Sequence, residues 1–254
     1  MKIIAIANQK GGVGKTTTAI NLAACLAEKG KKILLIDLDP QASATSAIGL
    51  QEQPNLSIYP ALLKTAEMHS LIIPTLYPNL SLIPSEKDLA GIEIEIANLP
   101  NGMQRLKESL APLRQNRPFD FIFIDSPPSL GALMTQALIA ADTILIPLQC
   151  EYLSLEGLSK ILSYIQRIRE NANPSLQIEG ILMTMYDART KLSQTVIQDV
   201  KNHLNDNLYQ TFIPRTIRLG EAPSHGKPII DYQPSSTGAL AYRALAEEFL
   251  ARQR

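Results

Sequence analysis

What this chain can fold into is constrained above all by its opening run of strand, glycine-rich loop and helix. Lys2 to Ala7 reads as a short apolar strand, and Ala19 to Lys29 has helical spacing, with Ile20, Ala23, Ala24 and Ala27 on one face. Between them lies Lys10-Gly11-Gly12-Val13-Gly14-Lys15-Thr16-Thr17. Such a loop lets backbone N–H groups approach a nucleotide's phosphates, while a lysine neutralises the terminal ones. A helix beginning near Lys15 would add its unpaired N–H groups and the positive end of its dipole. Thr16 is then expected to be the hydroxyl ligand to magnesium, and Thr17 a second phosphate donor. Gly14, Lys15 and Thr16 match the second half of the common pattern Gly-x-x-x-x-Gly-Lys-Ser/Thr, but Gln9 stands where its first glycine belongs. The loop reads instead Lys-Gly-Gly-x-Gly-Lys-Thr, with one lysine, Lys10, beyond what a phosphate loop needs.

The rest of the chain continues the alternation. Apolar, β-branched runs recur at Ile3–Ala7, Lys32–Leu38, Leu80–Pro84, Phe119–Asp125, Thr143–Leu148, Ile178–Met185 and Tyr209–Pro214, with helical segments between them. This pattern predicts an α/β fold, a mostly parallel twisted sheet flanked by helices on both faces. Continuous apolar stretches such as Ile33–Ile36 and Phe121–Ile124 suit strands buried on both sides. A helix is predicted from the stripe Leu155, Leu158, Ile161, Leu162, Ile165 and Ile168, stopping at Asn171 to Pro174. Ser85 with Asp88 resembles a capping box opening a helix over 85–97. Prolines and weak periodicity leave 51–80 without an assignment.

A single α/β domain over residues 1–254 is the expectation, since nothing in the composition marks a split. The net charge of zero means that any nucleic-acid binding must come from a local basic patch. No stretch approaches the ~20 apolar residues of a membrane helix, and the first apolar run is too short for a signal-peptide core, so a cytoplasmic protein is expected. Cys25 and Cys150 lack metal-ligand spacing and are expected to be reduced and buried. His69, His203 and His225 are scattered, and no serine–histidine–acid set competes for the chemistry.

In an open parallel sheet the ligand sits beyond the carboxyl ends of the strands. Two predicted strands end in acids there. Phe121–Ile124 runs into Asp125-Ser126-Pro127-Pro128, the position expected of an acid that orients magnesium through its water shell. Ile33–Ile36 runs into Asp37-Leu38-Asp39-Pro40-Gln41. Asp39, past the strand end, is the candidate for positioning or activating the attacking water, and Asp37 for holding the loop by hydrogen bonds.

With these residues in view, the sequence resembles the deviant Walker A type of P-loop ATPase, and within it the ParA/Soj partitioning proteins. The likeness runs through NQKGGVGKTTTAINLA at 8–23, LLIDLDPQ at 34–41, FIDSPPSLG at 123–131, CEYLSLEGL at 150–158, MTMYDART at 183–190 and IPRTIRLGEAPSHGKPI at 213–229. The later segments separate it from cell-division site selectors, nitrogenase iron proteins and arsenite-pump ATPases, which share the loop.

The resemblance implies ATP and magnesium as ligands and an ATP-dependent homodimer in which Lys10 reaches the partner's phosphates. Lys10, Lys15 and Asp39 would then be catalytic. Gly11 and Gly12 would face the second subunit, so valine at 12 is expected to keep nucleotide yet stay monomeric. Pro214 and Thr216 would lie beside the adenine, with threonine standing where relatives commonly carry asparagine. Arg189 and Arg218 align with arginines that bind double-stranded DNA without sequence preference, with Arg215, Lys191 and Lys227 as neighbours. The chain opens on the core fold with no helix-turn-helix before it, as in the short Soj-like form. A ParB-like centromere-binding protein would supply specificity and stimulate hydrolysis, and the ATPase would be nucleoid-associated. The alternative is a membrane-cycling positioning ATPase resembling MinD, which needs an amphipathic C-terminal helix. Glu247 and Glu248 in the tail Ala241–Arg254 disfavour anionic lipid. A redox ATPase resembling the nitrogenase iron protein would need a cysteine in SPPSLG, and there is none.

Overall fold

The computed structural model describes residues 1–253 except 52, 54, 55 and 98. Its strands are β1 (Lys2–Ile6), β2 (Ile33–Asp37), β3 (Ile73–Pro74), β4 (Leu80–Ile83), β5 (Phe121–Asp125), β6 (Thr143–Gln149) and β7 (Gln177–Thr184). They form one sheet in the order β3-β4-β2-β5-β1-β6-β7, parallel throughout except for the short antiparallel edge strand β3. The helices are α1 (Lys15–Glu28), α2 (Ser43–Ala47), α3 (Ile58–Leu62), α4 (Ile92–Ala97), α5 (Arg105–Asn116), α6 (Ala132–Ala140), α7 (Leu153–Asn171), α8 (Lys191–Leu204), α9 (Ile217–Glu221), α10 (Ile229–Tyr232) and α11 (Thr237–Arg252).

Every residue of β2, β5 and β6 is buried, because helices cover both faces. Alternate residues feed two cores. Ile3, Ala5, Leu34, Ile36, Ile122 and Ile124 pack with α5, α6, α7 and α8, whereas Ile4, Ile6, Ile33, Leu35, Phe121 and Phe123 pack with α1 and α11. The period of two along each strand sends neighbours to opposite faces, so a continuous apolar run serves both layers.

The tail is integral to the second core. Tyr242, Leu245, Ala246 and Phe249 recur at helical spacing along α11 and are buried, and the Phe249 ring meets Phe121 edge-on at 5.1 Å. Its apolar face is thus already covered by protein, which removes the free amphipathic helix that a membrane-cycling reading needs. No described helix is long and apolar enough to cross a membrane.

Two predicted features differ in the structure, and one unassigned stretch is filled in. The segment 209–214 is not a strand. It follows the edge of β7 through isolated bridges at Leu208 and Pro214, but Glu248 of α11 accepts the N–H groups of Gln210 and Thr211 at 2.8 Å, interrupting any ladder. Ser85 caps no helix: it is buried, its N–H donates to Thr45 Oγ1, and α4 begins only at Ile92 after a 3₁₀ turn over Lys87–Gly91. Within 51–80, where no assignment was possible, Ser57 accepts the Tyr59 N–H to cap α3, and β3 pairs with β4.

Candidate nucleotide site

β1 sits between β5 and β6, so the chain reverses direction across the sheet beside it, and the loop after β1 opens into the crevice that this reversal leaves. The loop's shape depends on glycine. Gly12 (φ +73°) and Gly14 (φ +88°) both occupy the left-handed region, and Gly14 is the N-cap of α1. Gly11 is outside that region, and a Cβ on it would make an ordinary 3.9 Å contact with Pro128.

Neighbouring strand ends hold the loop by its carbonyls. Gln149, the last residue of β6, donates to Gly12 O at 2.8 Å, and Thr184, the last of β7, donates to Val13 O at 2.8 Å. Asn8 ties the entry, donating to Pro147 O and accepting the Lys10 N–H. Gln149 and Thr184 were missed at the sequence level. Their signal was the one used for the aspartates, a polar residue ending an apolar strand.

Gly11, Gly12, Gly14, Lys15, Thr16, Thr17 and Asp39 line one cavity of about 240 Å³, with Pro128 and Met185 completing it. Lys15 is buried inside the loop, its Nζ donating to Lys10 O at 3.2 Å. Burial lowers its pKa, and the negative charges of Asp125 and Asp39 oppose that shift.

The two strand-end acids lie side by side, since Asp37 and Asp125 are register partners in β2 and β5. Both are fully buried. Asp37 Oδ2 accepts from the Thr45 N–H and hydroxyl, both at 2.8 Å, and Oδ1 from the Asp39 N–H at 3.2 Å, so it pins the loop that carries Asp39. Burial raises its pKa to about 6. Asp39 accepts the Gln41 N–H and is otherwise turned to the cavity.

Asp125 has neither oxygen hydrogen-bonded, with Thr16 close by but outside hydrogen-bond geometry. Burial first, and the Asp37 charge second, push its pKa well above the usual carboxylate range. A buried carboxylate without a donor, next to a threonine hydroxyl at a helix N-terminus, fits a hydrated magnesium ion. The described residues hold no cluster of three or more His, Cys, Asp or Glu, which also suits an ion bound mainly through phosphates and water.

A second, mostly apolar cavity of about 310 Å³ adjoins the first through Gly14, Thr17 and Met185. Pro214, Thr216, Leu219, Thr184 and Tyr242 are among the residues that line it. A polar pocket opening into an apolar one matches a nucleotide's phosphates and base. The Thr216 hydroxyl accepts the Arg218 N–H at 3.3 Å as the N-cap of α9. Met185 connects the two pockets from an unusual left-handed backbone (φ +52°).

Lys10 does not line either cavity. It stands on the rim, where its Nζ meets Glu151 Oε2 at 2.9 Å. Arg189 and Arg218 are exposed and line neither cavity. The bridge between Tyr186 and Pro214 brings the Arg189 loop beside Arg215 and α9. Lys227 lines a different cavity, together with Thr16, Thr17 and Ser43, and pairs with Asp231.

Comparison with known proteins agrees with this geometry. A family model described as an AAA domain matches residues 1–178. The sporulation initiation inhibitor protein Soj of Bacillus subtilis is 50% identical over 251 residues, covering 98% of each chain. The chromosome partitioning protein ParA of Caulobacter vibrioides is 44% identical, over 100% of this chain and 96% of its own. Among solved structures, a cobyrinic acid a,c-diamide synthase from Mycobacterium smegmatis, with bound ATP analogue and magnesium, superposes with a TM-score of 0.84 at 35% identity. That match covers 100% of this chain and 96% of the other.

Proposed function

Because this chain belongs to the Soj/ParA family of partitioning P-loop ATPases, we propose that it is a DNA-partitioning switch. ATP closes two copies into a dimer, the dimer holds DNA without sequence preference, and a ParB-like partner releases it by stimulating hydrolysis. One ATPase domain over residues 1–254 does this, on the nucleoid in the cytoplasm.

The observation that carries the assembly step is the position of Lys10. Lys15 already serves the chain's own cradle, whereas the Lys10 side chain does not line it: it is 32% exposed and paired with Glu151, itself 51% exposed. A cation there is suited to the phosphates of a second copy.

Within one copy, the loop N–H groups, Lys15 and the N-terminus of α1 bind the phosphates. Thr17 donates to them. Thr16 and Asp125 would hold magnesium, which would supply positive charge against the negative charge of the phosphates. Asp39 orients the attacking water, and Asp37 fixes Asp39 through the backbone. Pro214 and Thr216 flank the base. Arg189 and Arg218 take DNA phosphates, so affinity falls steeply with salt.

The test is size-exclusion chromatography of Asp39→Ala with ATP, with and without a mixed-sequence duplex. An ATP-dependent dimer that co-elutes with DNA is expected. A monomer refutes the assembly step, and a dimer that leaves the duplex free refutes the DNA step.

A further inference from the structure

Both arginines assigned to DNA already hold an anion. Asp187 takes Arg189 as a fork: Nε donates to Oδ1 at 2.9 Å and Nη2 to Oδ2 at 2.7 Å. This is the bidentate geometry by which a guanidinium also holds a phosphate. Arg218 Nη1 donates to Glu221 Oε2 at 2.7 Å, and the Tyr232 hydroxyl donates to the same oxygen at 3.2 Å. The two pairs lie on one surface, because Arg215 N donates to Tyr186 O and sets the loop of 186–189 against the start of α9.

We propose that Asp187 and Glu221 are built-in phosphate surrogates, which a DNA backbone must displace from Arg189 and Arg218 in order to bind. This regulation rests on the DNA reading above. The arginines are placed to be contested: the Arg189 side chain is 89% exposed while its carboxylate is 25% exposed, so a phosphate can approach the guanidinium from solvent. The Arg189 guanidinium, with help from Arg215, pushes the Asp187 carboxyl down to about 2, so it stays an anion throughout the physiological range.

Exchange of one anion for another has two consequences. The arginine gains little net electrostatic energy, and the displaced carboxylate remains near the DNA, where it retains a cation that would otherwise be released. Affinity and salt dependence are both held down, and release after hydrolysis is helped by a competitor already in place.

The test uses Asp187→Asn and Glu221→Gln, singly and together, in the full-length Asp39→Ala protein with ATP. Asparagine keeps the acceptor for the Arg189 N–H, which Asp187 Oδ1 now takes at 3.0 Å, so the turn is retained. Binding to a fluorescent mixed-sequence duplex is measured across a salt series, and dimerisation separately by size exclusion. Each variant is expected to bind about twofold to fivefold tighter, the range open to an exposed ion pair. The slope of log affinity against log salt should steepen by up to about 0.9 for each carboxylate neutralised.

Unchanged affinity and slope in both variants overturn the proposal, as does weaker binding, which would make the carboxylates organisers of the arginines. Failure of the DNA reading itself looks different. In that case the parent dimer leaves the duplex free, or Arg218→Glu binds it as the parent does, and both readings fall together.

Discussion

Valine at Gly11 and valine at Gly12 should produce different defects, although the two positions are adjacent and both exposed. At Gly12 a Cβ meets nothing within 4 Å, so space is not the difficulty, but the backbone is at φ +73°. Holding a non-glycine residue in the left-handed region costs about 1–2 kcal/mol, and a β-branched one sits at the upper end. The loop must keep this shape to bind phosphates, so nucleotide affinity should fall about 5-fold to 30-fold. This strain argument opposes the expectation that valine at 12 leaves nucleotide binding intact, and nucleotide titration decides between them. Gly11 lies outside that region, and a Cβ there meets Pro128 at a relaxed 3.9 Å. Its substitution should cost the monomer less than about 0.5 kcal/mol, as surface changes do. Gly11→Val should thus bind nucleotide within about twofold of the parent, by that same margin, yet fail to dimerise. Titration with a fluorescent ATP analogue at low protein concentration reads the first property. Sedimentation in the Asp39→Ala background reads the second. Parent-like nucleotide affinity in Gly12→Val would refute the strain argument, and an ATP-dependent dimer of Gly11→Val would show that this glycine does not face a partner.

Two further outcomes follow from the cores. Phe249→Ala removes a fully buried ring packed on Phe121 at 5.1 Å and Phe123 at 5.8 Å, and should destabilise the protein by about 3–5 kcal/mol in urea unfolding. A loss below about 1 kcal/mol would mean that α11 is not integral to the fold. Burial pushes the Cys25 thiol up to about 12, with the Glu28 charge adding to it, and burial pushes Cys150 up to about 11. At pH 8 the native protein then holds at most about one thiolate in a thousand at either site. Iodoacetamide should leave both unmodified by mass spectrometry until denaturant is added, and rapid alkylation of either in the native protein contradicts the packing.

The parts of the fold and site that were legible beforehand share one property: their signals are local. β1, the glycine loop and α1 announce themselves within one continuous stretch, and Asp37, Asp39 and Asp125 each follow directly on an apolar strand. Short-range periodicity was enough for six of the seven expected strands. It misassigned 209–214 because the N–H groups of Gln210 and Thr211 go to Glu248, on a helix almost forty residues later. It misread Ser85 for a similar reason, since a burial site facing Thr45 looks the same in sequence as an exposed cap.

Long-range partners could not be read at all. Lys10 is separated from Glu151 by 141 residues, Gly12 from Gln149 by 137, and Val13 from Thr184 by 171. Sequence alone determined that this chain carries a phosphate loop with a surplus lysine and acids at the ends of two strands, because glycine conformation, charge and apolar period are properties of neighbouring residues. Tertiary structure decided that the side chain of the surplus lysine pairs with Glu151 instead of lining the cavity, that strand ends clamp the loop, and that the exposed arginines pair with carboxylates of their own chain. These depend on the order β5-β1-β6-β7, which sets distant strand ends side by side and which no local pattern encodes.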